Sequence, residues 1–163
     1  MRPGTRLGID VGTVRIGVSR SDASGFLASP LETVRRSDDG SDVARIVALA
    51  VEHEAIELIA GLPLALSGRR TASTEDAVEF AERLAAAVSV PVRLVDERLS
   101  TVTATSALRA SGKNSKKSRS VVDQSAAAVI LQHALDAERS SGRPAGVPIT
   151  PPSAPSPEGA LPT

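Results

Sequence analysis

The chain has 163 residues, of which 41% are hydrophobic, and this predicts one globular domain with a single core. It contains no cysteine, which excludes disulfides and thiolate metal sites, and its formal net charge is zero. The aromatic residues are Phe26 and Phe80 alone, which excludes modules that bind nucleic acid by stacking bases on aromatic rings.

The first part of the chain predicts three consecutive strands. Apolar residues alternate with Gly and Asp along residues 6–11, which is the period-2 pattern of a strand. Gly12 and Thr13 then turn the chain into a second predicted strand at 15–19, and a third follows at 26–33. Together they predict a meander.

Helices and strands alternate after the meander. Four apolar residues have the i, i+3, i+4, i+7 spacing of an amphipathic helix: Val43, Ile46, Val47 and Ala50. The remaining predicted elements are a buried parallel strand at 55–60, a helix opened by a capping box at 73–76, a strand at 90–95, and helices at about 100–110 and 120–137. This order predicts an α/β fold: a mixed five-stranded sheet, three strands in a meander and then two parallel strands, with helices on both faces.

The C-terminal part of the chain differs in composition from the rest. Residues 140–163 contain seven of the eleven prolines and almost no large apolar residue, so we predict a domain at 1–138 and a disordered Pro-rich tail at 139–163. The N-terminal residues form no long apolar run. We therefore expect neither a signal peptide nor a membrane span, and a cytoplasmic protein.

Asp10 is the first candidate site residue. Because the apolar residues of 6–11 face one side of the strand, Asp10 faces the other side, between Gly8 and Gly12. Two glycines beside a carboxylate leave room for a metal ion or a phosphate to approach. The same residues also fit a plain Asp-x-Gly-Thr turn in which Asp10 caps the hairpin. Locally, both interpretations stay open.

Glu97 is the second candidate. It follows the strand at 90–95, and ligand sites in open α/β sheets lie beyond the carboxyl ends of the strands. Asp96 projects to the opposite side of the strand, so at most one of the two acids faces such a site. An ion pair with Arg98 on the surface is the alternative interpretation of Glu97.

Asp123 is the third candidate. Ser120 precedes it by three residues, so a capping box at the start of the last helix is the simplest explanation of this acid. The alanines at 126–128, however, allow that helix to lie close to the sheet. Asp123 would then reach the strand ends.

Three carboxylates from distant parts of the chain suit a hard divalent cation. Mg²⁺ prefers oxygen ligands and needs only one or two protein carboxylates per ion, and Mn²⁺ accepts the same ligands. A pair of such ions can activate water and stabilise the leaving oxygen in a displacement at phosphorus. Asp10, Glu97 and Asp123 are therefore the predicted metal ligands and catalytic residues.

A run of basic residues precedes Asp123. These residues alternate with Asn and Ser in what we expect to be a loop: Lys113, Lys116, Lys117 and Arg119. Such a loop offers positive charge and polar donors to phosphate oxygens. It is equally well explained as a solvated connection between two helices.

Four motifs together resemble the YqgF/RuvX family of bacterial nucleases, whose members are described as pre-16S ribosomal RNA processing enzymes or Holliday-junction resolvases. They are Gly8-Ile-Asp10-Val-Gly12-Thr-Val-Arg15-Ile-Gly17-Val, Gly61-Leu-Pro63-Leu, Asp96-Glu97-Arg98-Leu-Ser-Thr101 and Val122-Asp123-Gln-Ser-Ala-Ala. The resemblance covers residues 6–136. After Gly-Leu-Pro-Leu the family usually has Asn-Met, whereas this chain has Ala65-Leu66, so a substrate contact made by that Asn would be missing here.

The resemblance implies a ribonuclease H-like fold and an acidic triad at Asp10, Glu97 and Asp123. Arg15 matches the family's arginine after the first turn, and Lys116 and Lys117 fall in its basic stretch before the last acid. The residues predicted to bind nucleic acid are, together with the rest of the basic run, Arg15, Arg98, Lys113, Lys116, Lys117 and Arg119. The implied partner is structured RNA or branched DNA, with no membrane. Precursor rRNA can be cut by a monomer, whereas resolving a four-way junction needs a two-fold homodimer.

Two other function classes fit parts of the sequence. The Gly-x-Asp-x-Gly-Thr hairpin also resembles the phosphate loop of actin-like ATPases and sugar kinases, but those proteins close two such domains over ATP and one domain cannot supply that cleft. The non-enzymatic alternative is a nucleic-acid-binding module that has lost catalysis. The complete set of three acids favours a nuclease over such a module.

Overall fold

The structure is a computed structural model that describes residues 1–98 and 116–149, the side chains of 116–122 excepted. Its elements in chain order are β1 (Thr5–Val11), β2 (Arg15–Ser21), β3 (Ala28–Arg35), α1 (Ser41–Glu52), β4 (Ala55–Leu62), α2 (Ala72–Ala87), β5 (Val92–Asp96), α3 (Lys116–Ser141) and β6 (Val147–Pro148). The helix predicted at 100–110 and residues 150–163 of the predicted tail lie outside the described residues.

The strands form one mixed sheet in the order β3-β2-β1-β4-β5-β6. The meander β1–β2–β3 is antiparallel, and β4 and β5 run parallel to β1, as the element order predicts. The sheet has six described strands instead of five, because β6 pairs antiparallel with β5. The guanidinium of Arg93 in β5 holds this segment by donating to the carbonyls of Ala145 and Gly146.

Helices cover both faces of the sheet, as predicted. Side chains of α1 and α2, with Phe80 the largest, pack against the apolar residues of the alternating strands in the larger core. A smaller cluster on the other face joins Ile59 of β4 to four side chains of α3, namely Ile130, Leu131, Ala134 and Leu135. No helix in the described part of the chain has the length and apolar character needed to cross a membrane.

Two predicted helix starts are wrong. The capping box of α2 joins Thr71 and Thr74 instead of lying at 73–76, since each threonine hydroxyl accepts a hydrogen bond from the other's backbone N–H. Helix α3 begins at Lys116 instead of residue 120. Asp123 is therefore the eighth residue of α3, two turns inside it, and does not belong to a capping box at its start.

Helix α3 approaches the sheet so closely that backbone meets backbone. Ser19 of β2 donates a buried hydrogen bond of 2.8 Å from its hydroxyl to the carbonyl of Ala127. A Cβ added at Gly8 of β1 would overlap the Ser19 hydroxyl oxygen, and it would lie 2.8 Å from both the same carbonyl oxygen and the Cβ of Leu131. The small side chains at 126–128 and the glycine opposite them together allow this contact.

A buried network of charges holds the far end of α3. The Arg2 guanidinium donates two hydrogen bonds to the Glu138 carboxylate, at 2.9 and 2.7 Å, and one to Glu57 at 3.1 Å. Arg6, which is 1% exposed, also bonds Glu138. The Arg2 bonds lower the pKa of Glu138 to about 2, so this carboxylate is charged at neutral pH.

We expect Gly8→Ala to lower the free energy of unfolding by about 2 kcal/mol, because the added methyl group would push a helix backbone away from the sheet. Urea denaturation followed by circular dichroism measures this change. Ser19→Ala should cost about 1 kcal/mol for the lost hydrogen bond. The double variant should remain less stable than Ser19→Ala alone, because the carbonyl of Ala127 still blocks the methyl group. A Gly8→Ala protein as stable as the parent would show that α3 does not lie at this distance.

Candidate active site

Asp10 lies in the central part of the sheet, near the carboxyl end of β1. Its Cα partner in the neighbouring strand β2 is Gly17. On the other side, in β4, Gly61 follows Ala60, the partner of Ile9. Both glycines face α3, as Asp10 does, because the intervening residues of each strand face the larger core. Asp10 is therefore flanked in both neighbouring strands by a glycine, which has no side chain.

Asp123 lies over the first of these positions. A Cβ at Gly17 would overlap the carbonyl group of Asp123, so α3 lies directly on β2 at this point. The Asp123 carboxylate is about one-fifth exposed and is close enough to Asp10 for the two charges to repel.

Glu97 fills the second position. A Cβ at Gly61 would overlap the Oε2 atom of Glu97, and Ile130 of α3 lies against the same place. Glu97 is 9% exposed, and it follows Asp96, the last residue of β5. The carboxylate thus bends back over β4, one strand spacing, or about 4.8 Å, from the strand that carries Asp10.

The electrostatics of Asp10 reflect this crowding of acids. Burial, and secondly the negative charge of Asp123, raise the pKa of Asp10 to about 6. The structure therefore brings the three predicted acids, Asp10, Glu97 and Asp123, to one edge of the sheet, on the face covered by α3.

Arg15 contacts one of the acids directly. Its Nε donates a hydrogen bond of 2.7 Å to Oδ2 of Asp123, and both side chains are partly exposed. Arg15, which the resemblance assigns to nucleic-acid binding, is thus paired in this structure with Asp123, a predicted metal ligand.

Arg98 is held by the protein in a different way. Its guanidinium bonds the Asp96 carboxylate and donates a hydrogen bond of 3.1 Å to the carbonyl of Leu66. The ion pair considered for Glu97 is therefore formed by Asp96. These bonds tie the end of β5 to a small hairpin at 64–70, where Leu66 is 84% exposed.

The basic run is described only in part. Lys113 lies outside the described residues. Lys116, Lys117 and Arg119 belong to the first turn of α3 instead of a loop, and their side chains are not described.

The glycines around Asp10 act differently from the prediction. Gly8 makes room for α3, and a Cβ at Gly12 would meet the carbonyl oxygen of Arg15 at 2.6 Å in the hairpin turn. The positions that side chains would take at both glycines are thus occupied by atoms of the protein itself. Gly17 and Gly61 are the glycines that let the acids approach Asp10. Both occur in the recognised motifs, but their role depends on α3 and on Glu97, which come from distant parts of the chain.

Among the residues that the structure describes, no group of three His, Cys, Asp or Glu side chains is arranged so that it could hold a metal ion. The ion pair between Arg15 and Asp123 occupies one of the acids. The donor set nevertheless fits a hard divalent cation. All three groups are carboxylates, which are the oxygen ligands that such a cation prefers, and the negative charge of Asp123 acts on Asp10.

Comparison with known proteins identifies the family. The family model described as "RuvX: Holliday junction resolvase" matches residues 4–137. A protein of Leifsonia xyli subsp. xyli is 66% identical over 151 residues, which cover 93% of this chain and 97% of the relative. A protein of Clavibacter michiganensis subsp. michiganensis is 61% identical, covering 90% and 91% of the two chains. Both relatives carry the name "Putative pre-16S rRNA nuclease".

The fold is also found among solved structures. Thermus thermophilus RuvC in complex with a Holliday junction substrate matches with a TM-score of 0.55 at 18% identity, covering 90% of this chain and 99% of RuvC. At that identity the match supports the ribonuclease H-like fold alone. Taken with the sequence matches, which span nearly the whole chain, it shows that the chain belongs to the RuvX family of nucleases.

Proposed function

We propose that this chain is a cytoplasmic, divalent-metal-dependent nuclease that hydrolyses phosphodiester bonds of precursor 16S rRNA. Asp10, Glu97 and Asp123 are its metal ligands, with Mg²⁺ or Mn²⁺ as the ion. The observation that carries the proposal is the position of Asp10 between two glycines, one covered by the Asp123 backbone and the other by the Glu97 carboxylate.

The chemistry follows from the residue types at this edge. When bound, divalent ions supply an activated water and positive charge for the leaving oxygen in a displacement at phosphorus. The chain's own part is to hold three oxygen donors. Asp10 lies on a strand, Asp123 lies on a helix, and Glu97 directly follows a strand; sites built on such elements are more precise than sites on loops. Arg15 lies beside these acids and has the guanidinium geometry that binds phosphate oxygens.

The names of the relatives support RNA as the substrate, since both cited proteins are named for pre-16S rRNA. The description of the family model supports a second candidate, the four-way DNA junction. The two substrates make different demands, because a junction must be cut twice in symmetric positions by a two-fold assembly.

The direct test is cleavage by the purified full chain. We expect it to cut a 5′ fragment of precursor 16S rRNA in Mg²⁺ or Mn²⁺, and not in EDTA. Asp10→Asn, Glu97→Gln and Asp123→Asn should each lower the rate by about a thousandfold or more, because each removes a charged ligand. Asp136→Asn is the matched control: this exposed acid of α3 pairs with Arg139 and should leave the rate unchanged.

Each other outcome has a definite meaning. Cleavage of a four-way junction with no cleavage of the RNA would replace the proposed substrate by the second candidate. Metal-independent binding of either substrate without cleavage, unchanged in Asp10→Asn, would identify a binding module and contradict the nuclease proposal.

The raised pKa of Asp10 predicts a pH-dependent stability. The folded protein holds this proton more tightly than the unfolded chain, whose Asp pKa is 3.8, so stability is lost as the pH rises through about 6. In metal-free buffer at pH 7.5, Asp10→Asn should therefore be more stable than the parent, by up to about 3 kcal/mol. At pH 4 the difference should nearly vanish. Thermal or urea unfolding at the two pH values measures this, and a variant less stable at pH 7.5 would contradict it.

Gly61→Ala tests the position of Glu97. The added Cβ would overlap the Glu97 carboxylate, which must move away from Asp10. We expect cleavage to fall by about a hundredfold, since small displacements of catalytic groups have effects of this size. Gly8→Ala serves as the comparison, because it disturbs the same helix at a distance from Glu97. Equal losses of activity in the two variants would show that the effect is one of helix packing.

A further inference from the structure

Two arginines lie side by side at the edge that carries the acids. Arg15 at the start of β2 and Arg35 at the end of β3 are direct Cα partners in the antiparallel pair. Directly opposed residues face the same side of a sheet. That side is the α3 side, because Thr33, two residues before Arg35, accepts a hydrogen bond from Gln124 of α3.

The two arginines differ in what they bind. Arg15 is neutralised by Asp123 through the 2.7 Å hydrogen bond. Arg35 is exposed, and no hydrogen bond or ion pair of its side chain is found within residues 1–98 and 116–149. Like charges directly opposite each other in a sheet are unfavourable unless an anion lies between them. Within the described residues, Asp123 supplies such an anion to Arg15.

Asp123 thus has two competing uses. As a metal ligand it must present its oxygens to a cation, whereas in the structure its Oδ2 accepts the Arg15 hydrogen bond. An arginine and a divalent cation repel each other when they share one carboxylate oxygen. A metal ion bound by Asp123 would therefore compete with Arg15, and release of Arg15 would leave the paired residues Arg15 and Arg35 without this counter-charge.

We infer that Arg15 and Arg35 together form a phosphate clamp for the substrate strand, and that Arg15 leaves Asp123 for a backbone phosphate when the metal binds. This rests on the proposed function and adds to it a coupling between ion and substrate. In the free protein Arg15 pairs with Asp123 and competes with the metal ion, and a substrate phosphate that binds Arg15 removes this competition. Metal and nucleic acid then bind with positive cooperativity, and each raises the affinity for the other by the same factor.

The first measurement is the affinity of the full chain for Mn²⁺ without nucleic acid, by calorimetric titration. We expect Arg15→Gln to bind Mn²⁺ about three- to tenfold more tightly than the parent, because the competing ion pair is gone. Arg35→Gln removes the same charge one strand further away without touching Asp123, and should change the affinity less than twofold. Arg45→Gln breaks an arginine–glutamate pair between α1 and β3 and controls for the loss of a surface ion pair.

The second measurement adds a short 2′-O-methyl RNA strand, which resists hydrolysis. In the parent protein this strand should tighten Mn²⁺ binding about three- to tenfold, and Arg15→Gln should abolish that effect. Arg35→Gln should weaken RNA binding more in Mn²⁺ than in EDTA, since the clamp is complete only when Arg15 is released. Melting temperatures of the metal-free variants report whether each has folded.

The possible results separate this inference from the proposed function. Equal shifts of Mn²⁺ affinity in Arg15→Gln and Arg35→Gln would mean a general charge effect and would overturn the inference. Weaker Mn²⁺ binding in Arg15→Gln would overturn it too, because Arg15 would then support the site. Absence of coupling in the parent would do the same while leaving the nuclease intact. A parent chain that binds no Mn²⁺ would instead contradict the proposed metal site itself.

Discussion

The geometry of the candidate site depends on the contact between the backbone of α3 and the first two strands of the meander, β1 and β2. Gly8 and Gly17 make that contact possible, and the hydrogen bond from Ser19 to Ala127 fixes its register along the helix. Because Asp123 belongs to the same helix, its position over β2 is set by the packing of neighbouring turns. Folding of the core and assembly of the acids are thus one event on this face of the sheet.

This packing concentrates negative charge in a partly buried place. Asp10 lies in this place, and its pKa is raised first by burial and secondly by the negative charge of Asp123. Arg15 partly compensates by pairing with Asp123. This single ion pair differs from the network around Glu138, a nearly buried carboxylate that two arginines bind at once. The same kinds of charge therefore stabilise one end of α3 and prepare the other for a ligand.

Most of the strands and helices could be predicted from the sequence, because they depend on local residue patterns. The alternation in β1 and the stripe in α1 depend on neighbours along the chain, and their bounds agree with the structure to within a few residues. The capping threonines, Thr71 and Thr74, were missed because a second plausible box lay next to them. The two-residue strand β6 has no periodicity, and the start of α3 carries basic residues that resemble a loop. The role of Gly17 and Gly61 could not be predicted, because the residues that lie over them come from distant parts of the chain and only the tertiary structure shows them.

Both outer strands of the sheet contain a proline. Pro30 lies in β3, and Pro148 lies in β6, which covers the side of β5. Proline donates no backbone hydrogen bond and is a common means of preventing edge-to-edge association. Growth of the sheet into a second molecule is therefore disfavoured at either margin. A symmetric pair of two copies would therefore be favoured through helices or loops over strands, which would leave the β-architecture of each copy self-contained.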